Sequence, residues 1–412
     1  MSLRQFIAAC LLASPFIVFA SPFVLSAIAS SGKGDSNVNT TPDDSLLSTN
    51  QRPGRRFNHV CNQAVPGKFR CHSLVAVKDD LATPMTSSTP SGYGPDQFHR
   101  AYRLPKNAAT PTTIAIVDAY DSPTIENDLK VYNQTYKLPE CTTANGCFKK
   151  VNQNGQQSSY PSTNASWALE IALDVETAHA ICQNCKILLV EANSNSWSDL
   201  LAAEDTAVKL GATVISNSWG GSEFASETTY DSHLNHPGVA IIFSSGDNGY
   251  GVEYPAASPY VTAVGGTKLV LSPDNTRNSE VAWSGAGSGC SAYEPKPSWQ
   301  KDTKCTKRTV ADISAVADPS TGAAVYNTTG TSKGWLVVGG TSLSAPIIAG
   351  IYAIAGNSIS TLYGSYPYYH TSGFFDVLSG STSTSCSSYL CSASAGYDGP
   401  TGLGSPRGNR SY

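Results

Sequence analysis

From Thr112 onward, short apolar and often β-branched runs alternate with amphipathic stretches. TIAIVDAY reads as a strand, and SPTIENDLKVYNQTY as a helix with Ser122 at its cap and Pro123 in its first turn. The pattern then predicts a helix over about Ser166 to Ala180, a strand in KILLVEAN, a helix in SDLLAAEDTAVKLG, and strands in TVISNSW and VAIIFSSGD. These strands are almost wholly apolar, so both faces of their sheet must be covered. Strand and helix in repeated order give an α/β fold with a mostly parallel central sheet, helices on both faces and right-handed crossovers. Later runs, YVTAVGGT and GWLVVGG, lead to the helix SLSAPIIAGIYAIAG.

The N-terminal third of the pattern is different. Residues 1–29 place Arg4 before a long apolar run that ends in small residues at Ala27 and Ala29, as a signal peptide does. Export is therefore expected, and Pro15 and Pro22 make the same run a poor uncleaved anchor. Residues 30–60 are polar and lack apolar periodicity, a small Cys61–Cys71 segment follows, and LATPMTSSTPSG is a second linker. Residues 30–91 thus read as a flexible leader or short pro-region, and residues 92–412 as the main domain. No internal repeat of 20–50 residues is visible.

Composition narrows the choice of partners. Charged residues make up 14% of the 412, against roughly a quarter in an ordinary globular protein, so charge-driven disorder is excluded for the body. The net charge is −4 and no basic run could follow a phosphate backbone, which argues against nucleic acid and against an anionic membrane surface. Beyond Cys10 in the signal, the cysteines fall in neighbouring couples: 61 with 71, 141 with 147, 182 with 185, 290 with 305, 386 with 391. Five local disulfides in an oxidising compartment are the simplest reading. Cys182-Gln-Asn-Cys185, with His179 before it, has a zinc or redox alternative, but no second CxxC accompanies it.

Gly339-Gly340-Thr341-Ser342-Leu343-Ser344-Ala345-Pro346 puts a serine on a Gly-rich turn between a buried strand and a buried helix. There a hydroxyl sits beside backbone N–H groups able to face a developing negative charge, though Ser342 is also readable as an ordinary helix cap. A rival, Ser332 in Gly330-Thr331-Ser332-Lys333-Gly334, matches the G-x-S-x-G string but lies in a polar loop before a strand, the wrong context. None of the seven histidines stands in an HGTH-type helix start that would offer the serine a base. Instead, Trp167-Ala168-Leu169-Glu170-Ile171-Ala172-Leu173-Asp174 projects two carboxylates from one side of an apolar helix. Acid paired with acid at this spacing is destabilising on an exposed stripe unless it has a use. Asp247, in Ser244-Ser245-Gly246-Asp247-Asn248-Gly249, ends a buried strand at the carboxyl edge of the sheet, where α/β proteins build their sites.

Together these segments resemble the sedolisin family, serine-carboxyl peptidases with a subtilisin-like fold in which a glutamate replaces the histidine base. The likeness runs from about Gly92 to the C-terminus through GYGPDQFHRAY, EIALD, SSGDNG, PAASPYVTAVGGT, DISAVADP, GGTSLSAP and GYDGPTGLGSP in that order. The resemblance implies Ser342 as nucleophile, Glu170 as its base, Asp174 as the acid that orients Glu170, and Asp247 as oxyanion-hole donor. It implies a secreted, monomeric endopeptidase acting on proteins and peptides at acid pH, because Asp247 donates only while protonated. The alternatives are a catalytically silent peptide-binding protein or a cell-surface protein on the same fold. Asp118 would suit the aspartate of a Ser-His-Asp triad, but with no histidine motif it is expected to be structural. Trp219 and Gly220 are plausible walls of the substrate pocket.

The resemblance also implies one Ca2+ site. Asp376 and Asp398 would ligate through side chains, and Val377, Ser394 and Gly396 through carbonyls, an oxygen-only set suited to a hard cation. The family usually has glycine where Ser394 stands. Its members also commonly carry a long folded prosegment, where this chain has only the Cys61–Cys71 region between signal and main domain. That region is expected either to be a minimal inhibitor or to leave the chain without a covalent folding chaperone.

Overall fold

The computed structural model describes residues 56–78, 80, 82–358 and 362–412, so the expected signal peptide and most of the leader lie outside the described residues. The central sheet runs in the order Arg277–Ala282, Thr262–Leu271, Ala240–Ser244, Val214–Asn217, Thr113–Ala119, Lys186–Ala192, Phe148–Asn152, and Ile313–Val316 also pairs with Thr262–Leu271. Every pairing is parallel except that of the edge strand Arg277–Ala282.

The apolar runs in these strands account for the layers. On one face Ile114, Ile116, Ile187, Leu189 and Val214 pack with the helices Ala165–Ile181 and Thr341–Ala355. On the other, Ala115, Val117, Leu188, Val190 and Ile215 pack with Leu200, Leu201 and Ala203 of the helix Trp197–Lys209. The strand period of two divides each strand's apolar residues between the two layers. Helices Ala165–Ile181 and Thr341–Ala355 approach closely at Gly350, where a Cβ would lie 2.6 Å from Cβ of Ile181. This close approach brings the helix bearing Glu170 beside the helix bearing Ser342.

Three features differ from the sequence reading. GWLVVGG does not join the central sheet: Gly334–Gly339 belongs to an antiparallel four-stranded sheet with Arg56–His59, Leu74–Val77 and Ala323–Asn327. TVISNSW divides at Ser218, so that Val214–Asn217 stays in the central sheet while Trp219–Ser222 pairs with Arg70–Cys71 and Glu253–Tyr254. The helix after TIAIVDAY begins at Ile125 with Thr124 at its cap, and the Ser122 N–H instead donates to Oε1 of Glu191 at 3.0 Å. Among the described residues, strand pairing is present from Arg56, well before Gly92.

All five neighbouring cysteine couples are disulfides, Cys182–Cys185 included, so that pair has no free thiolates for zinc. No helix among the described residues is long and apolar enough to cross a membrane.

Candidate active site

Asn164 starts the helix Ala165–Ile181 by accepting from the N–H groups of Ser166 (3.0 Å) and Trp167 (3.2 Å). One turn separates Glu170 from Asp174, and both are fully buried (0%) on a helix enclosed on all sides. Oε2 of Glu170 accepts from the hydroxyl of Ser73, and its Oε1 has no partner among the described residues. Burial pushes Glu170 up to about 8, against the hydroxyls of Ser342 and Ser73, while the charge of Asp247 adds to the rise. Asp174 accepts from the Ser218 hydroxyl at 2.9 Å. Burial, then Asp118, then Glu170, raise it well above the ordinary carboxylate range.

Asp118, at the end of Thr113–Ala119, is likewise buried and has no partner for either oxygen among the described residues. Burial and then the charges of Glu170 and Glu191 push it far upward. Asp118, Asp174 and Glu170 therefore form one chain of interacting carboxyl groups that retains protons to unusually high pH and titrates as a unit.

Asp247 reaches the site from the loop after Ala240–Ser244. Its Oδ1 accepts from both the N–H and the hydroxyl of Thr341, each at 2.8 Å, and its Oδ2 is buried without a partner among the described residues. Burial lifts it to about 6, opposed by the nearby His72 and by the Thr341 bonds. Ser342, the second residue of its helix and fully buried, donates its backbone N–H to the carbonyl of His72 at 2.9 Å and its hydroxyl to the carbonyl of Ser218 at 3.3 Å. Gly340 makes this junction possible. At φ 98° it adopts a conformation that side chains rarely take, and a Cβ there would lie 2.2 Å from the His72 carbonyl oxygen and 2.4 Å from Oδ2 of Asp247.

Ser342, Glu170, Asp174 and Asp247 are thus gathered in one place, with Asp118 behind Asp174. Ser332 is not among them; it stays half-buried in the loop before Gly334–Gly339. Sequence reasoning missed His72 and Ser73, which enter the site from the segment taken for a leader. The sole local signal for them is the apolar run Leu74–Val77 that follows.

The proposed cation ligands form a second, separate cluster. Oδ2 of Asp398 accepts from the Ser394 N–H at 2.8 Å, its Oδ1 from the N–H and hydroxyl of Thr401 at 2.9 Å each, and Oδ2 of Asp376 accepts from the Gly396 N–H at 2.9 Å. Burial, with the charge of Asp376 adding to it, raises Asp398 to about 7 despite those bonds. The carbonyls of Val377, Ser394 and Gly396 accept no hydrogen bond among the described residues. Two carboxylates that repel each other beside unengaged carbonyls fit a hard cation. A grouping of Cys141, Cys147 and His179 does not fit a metal, since its two sulfurs are joined in a disulfide.

Residues 162–362 match the subtilase family model, and the fold is accordingly subtilisin-like. Pseudomonas sedolisin, a serine-carboxyl proteinase solved with two molecules of pseudo-iodotyrostatin, superposes with a TM-score of 0.66 at 26% identity over 77% of this chain and 96% of that one. Kumamolisin of Bacillus sp. (strain MN-32) is 32% identical over 58% of this chain and 50% of its own length. Sedolisin of Pseudomonas sp. (strain 101) is 28% identical over 82% of this chain and 63% of its own. The chain therefore spans between half and just under two thirds of the length of these two relatives. Over most of its length the chain is thus similar to sedolisins.

Proposed function

We propose that the protein is a secreted serine-carboxyl endopeptidase that hydrolyses proteins and peptides at acid pH, with Ser342 as nucleophile, Glu170 as base, Asp174 as the acid that holds Glu170, and Asp247 as oxyanion donor. The single observation that carries this reading is that the Ser342 N–H donates to the His72 carbonyl at the Gly340 junction, with the unpartnered Oδ2 of Asp247 close to the same glycine and Glu170 buried nearby. Those two groups are the donors that an oxyanion requires. Attack by the Ser342 oxygen on a peptide carbonyl sends its proton to Glu170. Glu170 returns that proton to the leaving nitrogen, and water then releases the acyl group. Ser218, bonded to Asp174, and Thr341, bonded to Asp247, fix the two acids in place.

Burial of Asp247 favours acid conditions. Asp247 donates only while it keeps its proton, so activity falls as pH rises through about 6. Glu170 acts as base in its ionised form, which the hydroxyls of Ser342 and Ser73 favour against burial. Export rests on residues 1–29. Asp376, Asp398 and the carbonyls of Val377, Ser394 and Gly396 would hold Ca2+, which would supply positive charge against the repulsion between the two carboxylates. The test is hydrolysis of acid-denatured protein between about pH 3 and 5. Activity present in the wild type and lost in Ser342→Ala supports the reading, and activity retained in Ser342→Ala overturns it.

A further inference from the structure

The strand Trp219–Ser222 flanks the site. It begins directly after Ser218, whose hydroxyl bonds Asp174 and whose carbonyl accepts from the Ser342 hydroxyl, and it ends directly before Glu223. The loop that follows is braced against this wall of the cleft by aromatic rings. Phe224 stacks on Trp197 with centroids 3.8 Å apart and meets Tyr254, the strand's neighbour, at 5.8 Å. Tyr230 lies 5.9 Å from both Trp197 and Phe224. Residues 223–231 therefore hold the far side of the wall, and what holds them in turn is a group of acids.

Glu223, Glu227 and Asp231 come from this loop, and Glu294 from the strand Gly289–Pro295, which packs against the short helix Glu227–Thr229. Glu227 and Glu294 are fully buried and Asp231 nearly so. Oε2 of Glu227 accepts from the Phe224 N–H at 2.7 Å, but its Oε1 and both oxygens of Glu294 have no donor among the described residues. The acids meet one another instead, Glu227 with Glu223 and Asp231 with Glu294. Ionised carboxylates only accept, so each such pair needs a proton between its members. Glu223 also bridges to the strand, accepting from the Ser291 hydroxyl and from the Ala292 N–H at 3.1 Å.

The charged groups around the cluster are engaged elsewhere. Arg308, which faces Glu294, is held by Asp312 at 2.5 and 2.8 Å. Lys296 pairs with Asp302 at 2.7 Å, His233 bonds Asp205 at 2.7 Å, and the Lys307 ammonium donates to the Tyr293 carbonyl at 3.0 Å. The Tyr254 hydroxyl donates to Asp231 at 3.2 Å. Burial, with the neighbouring acids adding to it, holds Glu227 and Glu294 well above the ordinary carboxylate range, against the Phe224 N–H and Arg308 respectively.

We propose that the pairs Glu223–Glu227 and Asp231–Glu294 are a proton-dependent clasp, which in acid ties residues 223–231 to Gly289–Pro295 and so fixes the cleft wall, and which in alkaline solution ionises, repels and lets both segments loosen. Because the folded acids hold protons that the unfolded chain has released, the clasp is whole in acid and is lost as pH rises through their raised values. The inference rests on the peptidase reading only for what the wall serves. It gives the molecule an alkaline limit separate from that of Asp247: ionisation of Asp247 removes a donor, whereas ionisation of the clasp releases chain.

The test is hydrogen exchange read by mass spectrometry on the full chain carrying Ser342→Ala, at about pH 4 and about pH 8, with the intrinsic pH dependence of exchange divided out. Protection of residues 219–231 and 289–295 should fall about tenfold or more between the two, relative to the core strand Thr113–Ala119. Adding Glu227→Gln and Glu294→Gln should abolish that fall, because an amide donates to its partner carboxylate at every pH; if the double variant does not fold, Glu294→Gln alone should reduce the fall. Protection that does not change with pH, that falls equally in Thr113–Ala119, or that falls equally in the glutamine variants overturns the clasp. Restoration of protection in these two segments at the higher pH by added Ca2+ also overturns it, since the acids would then hold a cation rather than protons. In the chain with Ser342 intact, the glutamine variants should keep severalfold more hydrolysis of denatured protein than wild type after alkaline incubation and return to acid, and equal losses count against the clasp. A chain that hydrolyses nothing before incubation overturns the peptidase reading, and the exchange result still decides the clasp.

Discussion

Glu204 offers a test of the electrostatics away from the cleft. It lies on the helix Trp197–Lys209, fully buried, with neither carboxyl oxygen hydrogen-bonded among the described residues. Burial raises it from 4.5 to about 8, with the Asn217 amide opposing and Asp205 adding to the rise. Because the folded value lies above the unfolded one, the folded chain keeps a proton that the unfolded chain has released. The stability tied to that proton is whole below pH 4.5 and is lost as pH rises through about 8. By linkage the loss at pH 8 is on the order of 4 kcal/mol, an upper figure because water entering near the group would reduce it. Glu204→Gln keeps the shape and removes the ionisation. It should change stability little at pH 4 and raise it by a few kcal/mol at pH 8. Urea unfolding followed by tryptophan fluorescence at both pH values measures this, in a Ser342→Ala background to prevent self-digestion. An equal effect at the two pH values, or a loss at pH 8, would refute the reasoning.

Other expected outcomes concern the site and the cation. Gly340→Ala should cost about 100-fold or more in kcat/KM, because the methyl would displace the His72 carbonyl position and Asp247 together; near-wild-type kinetics would contradict that geometry. Glu170→Gln should cost about 10³-fold or more, Asp174→Asn less and Asp118→Asn least, measured as kcat/KM at the acid optimum. A large loss at Asp118 with none at Glu170 would restore a subtilisin-like assignment. Removing calcium with a chelator at pH 7 should lower the Tm, since a cation that binds only the folded chain stabilises it, and an unchanged Tm would count against the Asp376 and Asp398 cluster.

The parts of the molecule legible in the sequence are those encoded by local periodicity. Thr113–Ala119, Lys186–Ala192 and Ala240–Ser244 announce buried parallel strands because each holds an unbroken run of apolar residues on both faces. Glu170 and Asp174 stand out because an acid pair breaks an otherwise apolar helix. What was hidden depends on partners distant in sequence. Leu74–Val77 is only four residues long, and its pairing with Gly334–Gly339 spans most of the chain, so nothing near it says that it enters the active-site sheet. The divided fate of TVISNSW is set by Arg70–Cys71 and Glu253–Tyr254, again far away. For the same reason His72 looked like an incidental histidine, although Ser244, Glu253 and Ser342 all bond to it.

The central claim is that a buried carboxylic acid, rather than an amide, supplies the oxyanion donor, and the pH dependence of kcat/KM in wild type and Asp247→Asn tests it most directly. Wild-type activity should be greatest in the acid range and fall as Asp247 ionises near 6. Asparagine donates at every pH, so Asp247→Asn should keep part of the activity and carry the alkaline limb upward, whereas Asp247→Ala should lose most of it throughout. A wild-type maximum near pH 8, or an alkaline limb that stays in place in Asp247→Asn, would contradict the assignment.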